Sequence, residues 1–345
     1  MDEIKVSAII PVYGVEKYIE RCARSLFEQS MTDGVEFIFV NDCTPDRSLE
    51  LLNDIIGEYP GVASGIKILN HIRNRGLAAA RQTGLDAARG QYIIHLDSDD
   101  YFEHDMLEVM YQEAITHNSD IVVADFFKSH QKSEEYCECF LSDNKEVLLK
   151  SIIARCSSGY KSVFAYVWNK LVKRSIFQKH NINSIEGINV GEDLILTIQT
   201  LYYANVITKV DRAFVHYNNH NLSSYSHNKT SSNTRQCLKA IDTVAEFLSP
   251  ESSVYDRVLE ERRFYKYIIG IVNCEREELP GLMSIDYEFD YMEFKHLVAP
   301  HWKLPVKFAL QGKIGRFVFL RNLIFFIRKV YRIINGWRTD NIVNQ

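Results

Sequence analysis

The amino-terminal part of the chain alternates between two hydrophobic patterns. Apolar, β-branched runs at Val6–Val12, Val35–Val40 and Ile66–Leu69 have the length and composition of buried strands. Between these runs, apolar residues recur with the spacing of one helix face. An alanine-rich helix from about Leu77 to Ala88 leads into a fourth strand at Tyr92–Leu96. Strands that alternate with helices predict an α/β fold with a mostly parallel sheet and helices on both faces.

The pattern changes further along the chain. Another strand is expected at Ile121–Ala124, and the residues from about Lys128 to Tyr166 mix polar and aromatic types without a clear period. From Ser231 onward the apolar spacing is helical, with breaks expected at Pro280–Gly281 and from Pro300 to Pro305. The sheet should therefore be followed by a mainly helical C-terminal region.

The composition is that of a globular protein, since 46% of the 345 residues are hydrophobic and 25% are charged. The seven cysteines form an odd set without a Cys-x-x-Cys pair, so they predict neither a disulfide framework nor a zinc site. No basic segment followed by a long apolar stretch, as in a secretory signal, begins the chain. These features favour a cytoplasmic protein.

The charges are distributed unevenly. The net charge is -5, yet the segment from Phe294 to Thr339 contains ten Lys or Arg residues and no Asp or Glu. A positive segment on an otherwise acidic protein indicates a polyanionic surface as its partner, either a membrane or a nucleic acid. A nucleic acid is not expected, because the chain lacks a coherent recognition module.

The basic segment is also apolar, and two interpretations of it stay open. Apolar residues alternate there with Arg316, Arg321 and Arg328, and no stretch reaches the roughly 20 apolar residues that span a bilayer. Residues 303–338 could form a helix that lies in the surface of an anionic membrane. Alternatively, the apolar face of this helix covers the rest of the protein and its basic face is solvated.

Three carboxylates within four residues follow the fourth strand, in the segment Asp97-Ser98-Asp99-Asp100. Along an extended chain, Asp97 and Asp99 point to the same side, about 7 Å apart at roughly 3.3 Å per residue. Two like charges so close predict a hard divalent cation between them, together with a phosphorylated ligand. The alternative is a loop whose acids cap the next helix.

Two other strands end in residues suited to ligand binding. Tyr13 follows Pro11 and Val12 at the end of the first strand, and Asp42 closes the second. Because parallel strands present their carboxyl ends along one crevice, Tyr13, Asp42 and Asp97 should share it. The first turn suits a nucleobase, and Asp42 could accept a hydrogen bond from a base N–H group. An ordinary turn and a helix cap are the alternatives.

Five motifs resemble, in their order, those of the family 2 glycosyltransferases, and they cover about Ser7 to Ser224. The motifs are Ser7–Tyr13, Val40–Asp42, Asn74–Arg81, Leu96–Asp100 and Gly191–Asp193. The resemblance implies a GT-A fold, an inverting transfer from a nucleotide-activated sugar, with UDP as the expected nucleotide, and a divalent metal, Mn²⁺ or Mg²⁺. It also implies a nucleotide-sugar-binding half at 1–125, an acceptor-side half with the catalytic base at 126–228, and the helical region at 229–345.

The resemblance further implies roles for individual residues. The nucleotide-binding residues would be Pro11, Val12, Tyr13, Asp42, Arg81, Asp97 and Ser98, and the metal ligands would be Asp99, Asp97 and His216. Arg81 would reach a base carbonyl or the diphosphate with its planar donor fork, and a solvated helix-face arginine is the alternative. His216 stands where certain relatives place a further metal ligand, and a structural histidine is the alternative.

Inverting transfer needs a base that removes the proton of the acceptor hydroxyl. Glu192 and Asp193 precede a helical stripe of apolar residues, and the resemblance assigns the base to Asp193 and an orienting role to Glu192. Acids at a helix amino terminus are also stabilised by the helix dipole alone, which is the alternative. Relatives often carry an arginine where Asn218 stands, so diphosphate contacts from His220–Ser224 stay open.

The expected reaction is a non-processive transfer to a glycan or lipid-linked acceptor, in the cytoplasm or at the inner face of the cell membrane. The Gln-x-x-Arg-Trp signature of processive relatives does not occur after the base motif. A sugar-phosphate nucleotidyltransferase is the alternative function, since it would share the parallel sheet and an acidic metal site. It would need a glycine-rich basic phosphate loop after the first strand, and Tyr13–Lys17 is a poor version of one.

Overall fold

The computed structural model describes residues 3–130, 133–154, 165–221, 230–285, 287 and 289–334, with side chains up to residue 327 in the last helix. The strands are β1 (Val6–Val12), β2 (Val35–Asn41), β3 (Ile66–Asn70), β4 (Tyr92–His95), β5 (Tyr101–Phe102), β6 (Ile121–His130), β7 (Ser133–Cys137), β8 (Lys170–Lys173) and β9 (Ile207–Asn218). The helices are α1 (Ile19–Phe27), α2 (Ser48–Glu58), α3 (Leu77–Ala87), α4 (Met106–Thr116), α5 (Lys145–Ile153), α6 (Arg174–His180), α7 (Glu192–Tyr203), α8 (Ser231–Phe247), α9 (Ser252–Asn273), α10 (Leu279–Met283), α11 (Tyr291–Phe294), α12 (Lys303–Leu310) and α13 (Ile314–Ile334).

The strands of the described residues form one sheet of nine, in the order β3-β2-β1-β4-β8-β6-β9-β5, with β7 paired to β6. The first four strands in this order are parallel to one another, and β6 and β9 are also parallel. β8 runs antiparallel between β4 and β6. The predicted α/β fold class with a mostly parallel sheet is therefore confirmed.

The structure also shows where the sequence pattern was incomplete. The strand expected at Ile121–Ala124 continues to His130, so the boundary expected after residue 125 falls inside β6, a single strand of the sheet. β7 was not predicted, because Ser133–Cys137 is polar and largely exposed and is a strand only through its pairing with β6. Short strands such as β5 and β8 likewise carry too few residues to show a period.

The helical C-terminal region is present as α8 to α13 and has an apolar core of its own. Its buried side chains include Phe264, Ile271, Leu282, Val306 and Phe317. Arg321 lies among them, 7% exposed, and its Nη1 donates to the carbonyl oxygen of Cys274 at 2.8 Å. Arg321 is therefore not part of a solvated basic face, because its guanidinium donates to a backbone carbonyl at the end of α9.

Within the described ranges, every helix is too short or too polar to cross a membrane.

The packing of α3 on β1 depends on a close approach at Gly84. A Cβ atom at Gly84 would stand 2.3 Å from Cγ2 of Ile9, so Gly84→Ala should lower the free energy of unfolding by about 1–3 kcal/mol through overpacking. Gly57 of α2 offers the matched control, because a Cβ atom there meets no atom within 4 Å. Gly57→Ala should instead raise the free energy of unfolding by about 0.5–1 kcal/mol. Denaturant unfolding measures both effects, and shifts of the same sign would contradict the packing argument.

Candidate active site

Two strand ends that carry acidic residues flank the end of β1. The backbone N–H of Asp42 donates to the carbonyl oxygen of Val12 at 3.0 Å, on the β2 side. On the β4 side, the N–H of Leu96 donates to the carbonyl oxygen of Ile9, also at 3.0 Å. The sheet thus places Asp42 and the segment that begins with Asp97 on either side of β1, as expected for parallel strands that end at one crevice.

The turn after β1 exposes only one of its three predicted nucleotide-binding residues. Pro11 and Val12 are buried inside β1, whereas Tyr13 is 48% exposed. Gly14 turns the chain with φ +68°, and its N–H donates to Oγ1 of Thr44 at 2.9 Å. The aromatic ring of Tyr13 is therefore the side chain that this turn offers to a flat ligand.

Asp42 already has several partners within the protein. Its Oδ1 contacts Nδ1 of His71 at 2.6 Å and accepts the N–H of Arg75 at 2.8 Å, and its Oδ2 accepts the N–H of Gly76 at 2.7 Å. A carboxylate offers about four acceptor positions, so one position remains for a base N–H group. Asp42 holds the turn that precedes α3, a role that the sequence did not suggest because these partners lie far along the chain.

The four residues after Leu96 form a turn rather than the extended chain that we expected. The N–H of Asp100 donates to the carbonyl oxygen of Asp97 at 2.9 Å. Asp97 and Asp99 are nevertheless partly exposed, whereas Ser98 and Asp100 are buried. The two carboxylates predicted to share a ligand are thus the two that remain accessible, while Ser98 faces inward.

The end of β9 and the residues that follow it hold this acidic turn. Nδ2 of Asn221 donates to Oδ2 of Asp99 at 2.8 Å, and the N–H of Asn218 donates to Oδ1 of Asp100 at 2.7 Å. The sequence did not predict the contact of Asn221 with Asp99. The two residues are more than a hundred positions apart, and such a contact leaves no periodic pattern in the sequence. Residues 222–224, the remainder of the segment proposed for diphosphate contacts, lie outside the described residues.

The carboxylates of this turn are partly or fully buried and repel one another, so their charged forms are disfavoured. Burial, with Asp97 adding to it, raises the pKa of Asp99 to about 6. Burial and the charges of Asp99 and Asp97 raise the pKa of Asp100 well above its ordinary value. A cation at the accessible carboxylates would relieve this repulsion.

Arg81 connects the acidic turn to the predicted base motif. Its side chain is 2% exposed; Nη2 donates to Oδ1 of Asp97 at 2.5 Å, and Nη1 donates to Oε1 of Glu192. Burial opposes the charge of Arg81, but Asp97, Glu192 and Asp193 outweigh it and keep its pKa above the ordinary value. Arg81 is therefore not a solvated helix-face arginine, and both of its terminal nitrogens are bound to carboxylates of the protein.

The base motif stands at the first turn of α7. Gly191 has φ +96°, and a Cβ atom there would lie 2.9 Å from Cβ of Ala240 in α8. Glu192 is 5% exposed and faces Arg81, whereas Asp193 is only partly buried. Burial raises the pKa of Glu192, an effect to which Asp193 adds and which Arg81 opposes. Of the two acids, Asp193 is the one with the greater access to a substrate.

The ring nitrogens of His216 contact carboxylates other than those of the predicted metal ligands Asp97 and Asp99. Its Nε2 contacts Glu103 at 2.7 Å and its Nδ1 contacts Glu134 at 2.8 Å. Its ring also stacks on Tyr101 of β5, with the ring centroids 4.2 Å apart. In this arrangement both ring nitrogens serve carboxylates other than Asp97 and Asp99, which corresponds to the structural histidine that we gave as the alternative.

The donor set at the acidic turn fits a hard divalent ion only in part. Among the described residues, no three His, Cys, Asp or Glu side chains are grouped so that they could hold a metal ion. Asp97 and Asp99 supply two partly exposed carboxylates, each with one oxygen engaged by Arg81 or Asn221. Mg²⁺ and similar ions are usually bound by one or two carboxylates together with substrate phosphates, and two carboxylates match that requirement.

The buried position of Arg81 makes a prediction about stability. Arg81→Met leaves Asp97 and Glu192 without their shared cation and should lower the free energy of unfolding by about 3–5 kcal/mol. Without the guanidinium, the pKa of Glu192 in the folded protein lies still further above its unfolded value of about 4.3. The folded state then retains a proton that the unfolded state has released, so stability should fall as the pH rises from about 5 to about 8.

Urea unfolding at both pH values measures this loss, and Arg75→Met provides the control. Arg75 pairs with Glu186 at 2.8 Å, but the two side chains are 38% and 50% exposed, so breaking this pair should cost at most about 1 kcal/mol. Equal costs for the two variants would show that burial adds nothing to the role of Arg81.

Known proteins that are similar to this chain identify its family. The family model for glycosyl transferase family 2 matches residues 7–180, just over half of the 345-residue chain. The chain is 34% identical over 213 residues to the uncharacterized glycosyltransferase EpsJ of Bacillus subtilis (strain 168), which covers 61% of this chain and 60% of EpsJ. It is 30% identical over 261 residues to the glycosyltransferase EpsH of the same strain, which covers 74% of this chain and 72% of EpsH. The chain thus spans less than two thirds of EpsJ.

Solved structures show the same fold. Residues 1–349 of S. aureus TarS match with a TM-score of 0.61 at 17% identity, over 99% of this chain and 94% of that one. The same part of TarS has been solved with UDP and with UDP-GlcNAc, and these structures match with TM-scores of 0.56 and 0.54. At this level of identity the similarity concerns the fold alone. The family match, which rests on sequence, goes further: the chain belongs to glycosyltransferase family 2.

Proposed function

We propose that this glycosyltransferase moves a sugar from a UDP-sugar to a hydroxyl group of a glycan or lipid-linked acceptor, without processivity and with inversion at the anomeric carbon. The observation that carries this proposal is the contact of Arg81 with both Asp97 and Glu192. This contact brings the acidic turn after β4 next to the amino terminus of α7. A donor diphosphate and an acceptor hydroxyl could then meet between Asp97 and Asp193.

The donor would lie along the strand ends. The exposed ring of Tyr13 offers a surface for the base, and the remaining acceptor position of Asp42 suits the N–H group of uracil. The binding of UDP and UDP-GlcNAc by TarS supports a uridine donor here as well. Asp97 and Asp99 would hold a divalent ion, Mn²⁺ or Mg²⁺, and family 2 enzymes generally use such a metal. When bound, it neutralises negative charge on the diphosphate.

The proton of the acceptor hydroxyl would be removed by a residue of this chain. Asp193 would accept the proton of the acceptor hydroxyl while the hydroxyl oxygen forms a bond to the anomeric carbon. The bond from that carbon to the diphosphate oxygen breaks at the same time, and the electron pair leaves with UDP. Attack opposite the leaving group inverts the anomeric configuration. Glu192 is bound to Arg81, and this contact would hold Asp193 at the start of α7 next to the acidic turn.

The alternative of a nucleotidyltransferase is not supported, because the family and the relatives are glycosyltransferases. The reaction would take place in the cytoplasm or at the inner face of a membrane. His216 is not included in the metal site of this proposal, since its nitrogens are bound to Glu103 and Glu134.

The base assignment can be tested with Asp193→Asn, which removes the proton acceptor with little change of shape. Sugar transfer from UDP-GlcNAc, or from whichever UDP-sugar a donor screen identifies, should fall by about 10²- to 10⁴-fold. The affinity for UDP, measured by calorimetry, should not change. Asp256→Asn alters an exposed aspartate of α9 and should leave both quantities unchanged. Full transfer by Asp193→Asn would show that another group takes the proton.

Metal binding should depend on pH through Asp99. Because the pKa of Asp99 is raised to about 6, protons compete with a metal ion below that pH. The affinity for Mn²⁺ should therefore fall by up to roughly tenfold for each pH unit below about 6 and level off above it. Titration of free Mn²⁺, followed by electron paramagnetic resonance, measures this without any enzyme turnover. Asp99→Asn should abolish the binding, and a pH-independent affinity would argue against this site.

A further inference from the structure

The last helix has two apolar faces rather than one. The first face packs into the C-terminal core through Phe317, Val318 and the stem of Arg321, all of which are buried. The opposite side of α13 is also apolar, and none of the residues that the structure describes covers it. Phe319 is 68% exposed and Phe326 63%, with Leu323 and Ile327 exposed between and beside them. We call these four residues the outer face of α13.

The outer face is a continuous surface. Phe319, Leu323 and Phe326 are spaced by four and then three residues, so they lie one above another on the same side of a helix. Ile327 follows Leu323 by four residues and widens the stripe. Monomeric proteins expose single apolar residues commonly, but a row of large ones on one helix face marks an interaction site.

Positive charge borders the outer face. Arg316 stands three residues before Phe319 on the same helix, and Lys313 precedes the helix; both are exposed. Their cationic groups lie 5.6 Å and 5.9 Å from the ring centroid of Phe308, which brings them together at the start of α13. No Asp or Glu occurs between Phe294 and Thr339 to balance them.

The apolar outer face and the positive charge beside it together indicate which kind of partner fits. A second copy of the chain packed through the same face would bring two segments together that carry Lys and Arg but no Asp or Glu, so like charges would oppose the contact in either orientation of the helices. An anionic lipid surface is complementary to both features, because acyl chains accept the phenyl rings and phosphate groups attract the cations.

We propose that the outer face of α13 inserts into the interfacial region of a bilayer that contains anionic lipids, with Lys313 and Arg316 on the headgroups. This docking is independent of the transfer reaction and holds whichever sugar is used. It combines the two interpretations of the sequence pattern, a helix in the surface of an anionic membrane and a helix that covers the rest of the protein, each of which gave the helix a single apolar face. The structure gives it one face for the protein core and a second for the membrane.

Vesicle flotation of the full-length protein tests the proposal. The protein should float with vesicles of phosphatidylcholine and phosphatidylglycerol, and much less with phosphatidylcholine alone. Phe319→Ser combined with Phe326→Ser should reduce binding to the mixed vesicles by at least about tenfold. Lys313→Glu combined with Arg316→Glu should reduce it by roughly tenfold or more, since each basic residue at an anionic surface contributes to binding.

Matched double variants control for changes in surface polarity and net charge. Ile115→Ser with Val147→Ser removes two exposed apolar side chains of α4 and α5, and Lys179→Glu with Lys239→Glu makes the same change of charge elsewhere. Both should bind the mixed vesicles like the unaltered protein, and circular dichroism should show all four variants folded.

Three results would overturn the proposal. The unaltered protein could fail to float with the mixed vesicles. The outer-face and charge variants could bind them as well as their controls do. Analytical ultracentrifugation without lipid could reveal a dimer that Phe319→Ser with Phe326→Ser dissociates, which would assign the face to a second copy of the chain.

Discussion

The arrangement of the active site depends on one buried guanidinium. Removing Arg81 from water is costly, and its contacts with Asp97 and Glu192 offset this only because both carboxylates are held in place by their own elements. Asp97 belongs to the turn after β4, and Glu192 to the first turn of α7. Arg81 itself is placed by α3, which packs closely on β1 at Gly84. Two segments separated by almost a hundred residues are thereby fixed to each other at the charged groups that a transfer reaction would use.

The same contact determines which carboxylates are left for a ligand. Arg81 donates to one oxygen of Asp97 and to one oxygen of Glu192, whereas Asp99 accepts the amide of Asn221 and has a raised pKa. The site therefore has an anionic side, at Asp97 and Asp99, that gains from a cation. On its other side, Asp193 lies at a helix amino terminus and is partly accessible. The anionic side favours a diphosphate with a bound cation. The side with Asp193 favours a hydroxyl group that loses its proton.

The sequence predicted the parts of this site that follow local rules. The strands β1 to β4, the helix rich in alanine and the acidic residues after β4 all come from hydrophobic periodicity or from the position of polar residues at strand ends, and both are properties of short segments. The partners of Arg81 could not be found in this way, because they lie 16 and 111 residues away and only the fold brings them together. The carboxylates that bind His216 and the backbone groups that occupy Asp42 escaped prediction for the same reason.

The C-terminal helix shows a different limit of pattern reading. An apolar stripe indicates that a helix buries one face, but α13 is apolar on two sides, so periodicity alone could not say which residues face the core. Nor could charge, because Arg321 is inside and bound to a carbonyl of α9, while Arg316 is outside. An arginine surrounded by apolar residues can bind either the carbonyl oxygens at the end of a helix or a lipid phosphate. Which of the two it binds depends on its neighbours in the structure. For Arg321 the neighbour is a protein carbonyl. Arg316 is exposed and stands three residues before Phe319, the first residue of an outer face that no described residue covers.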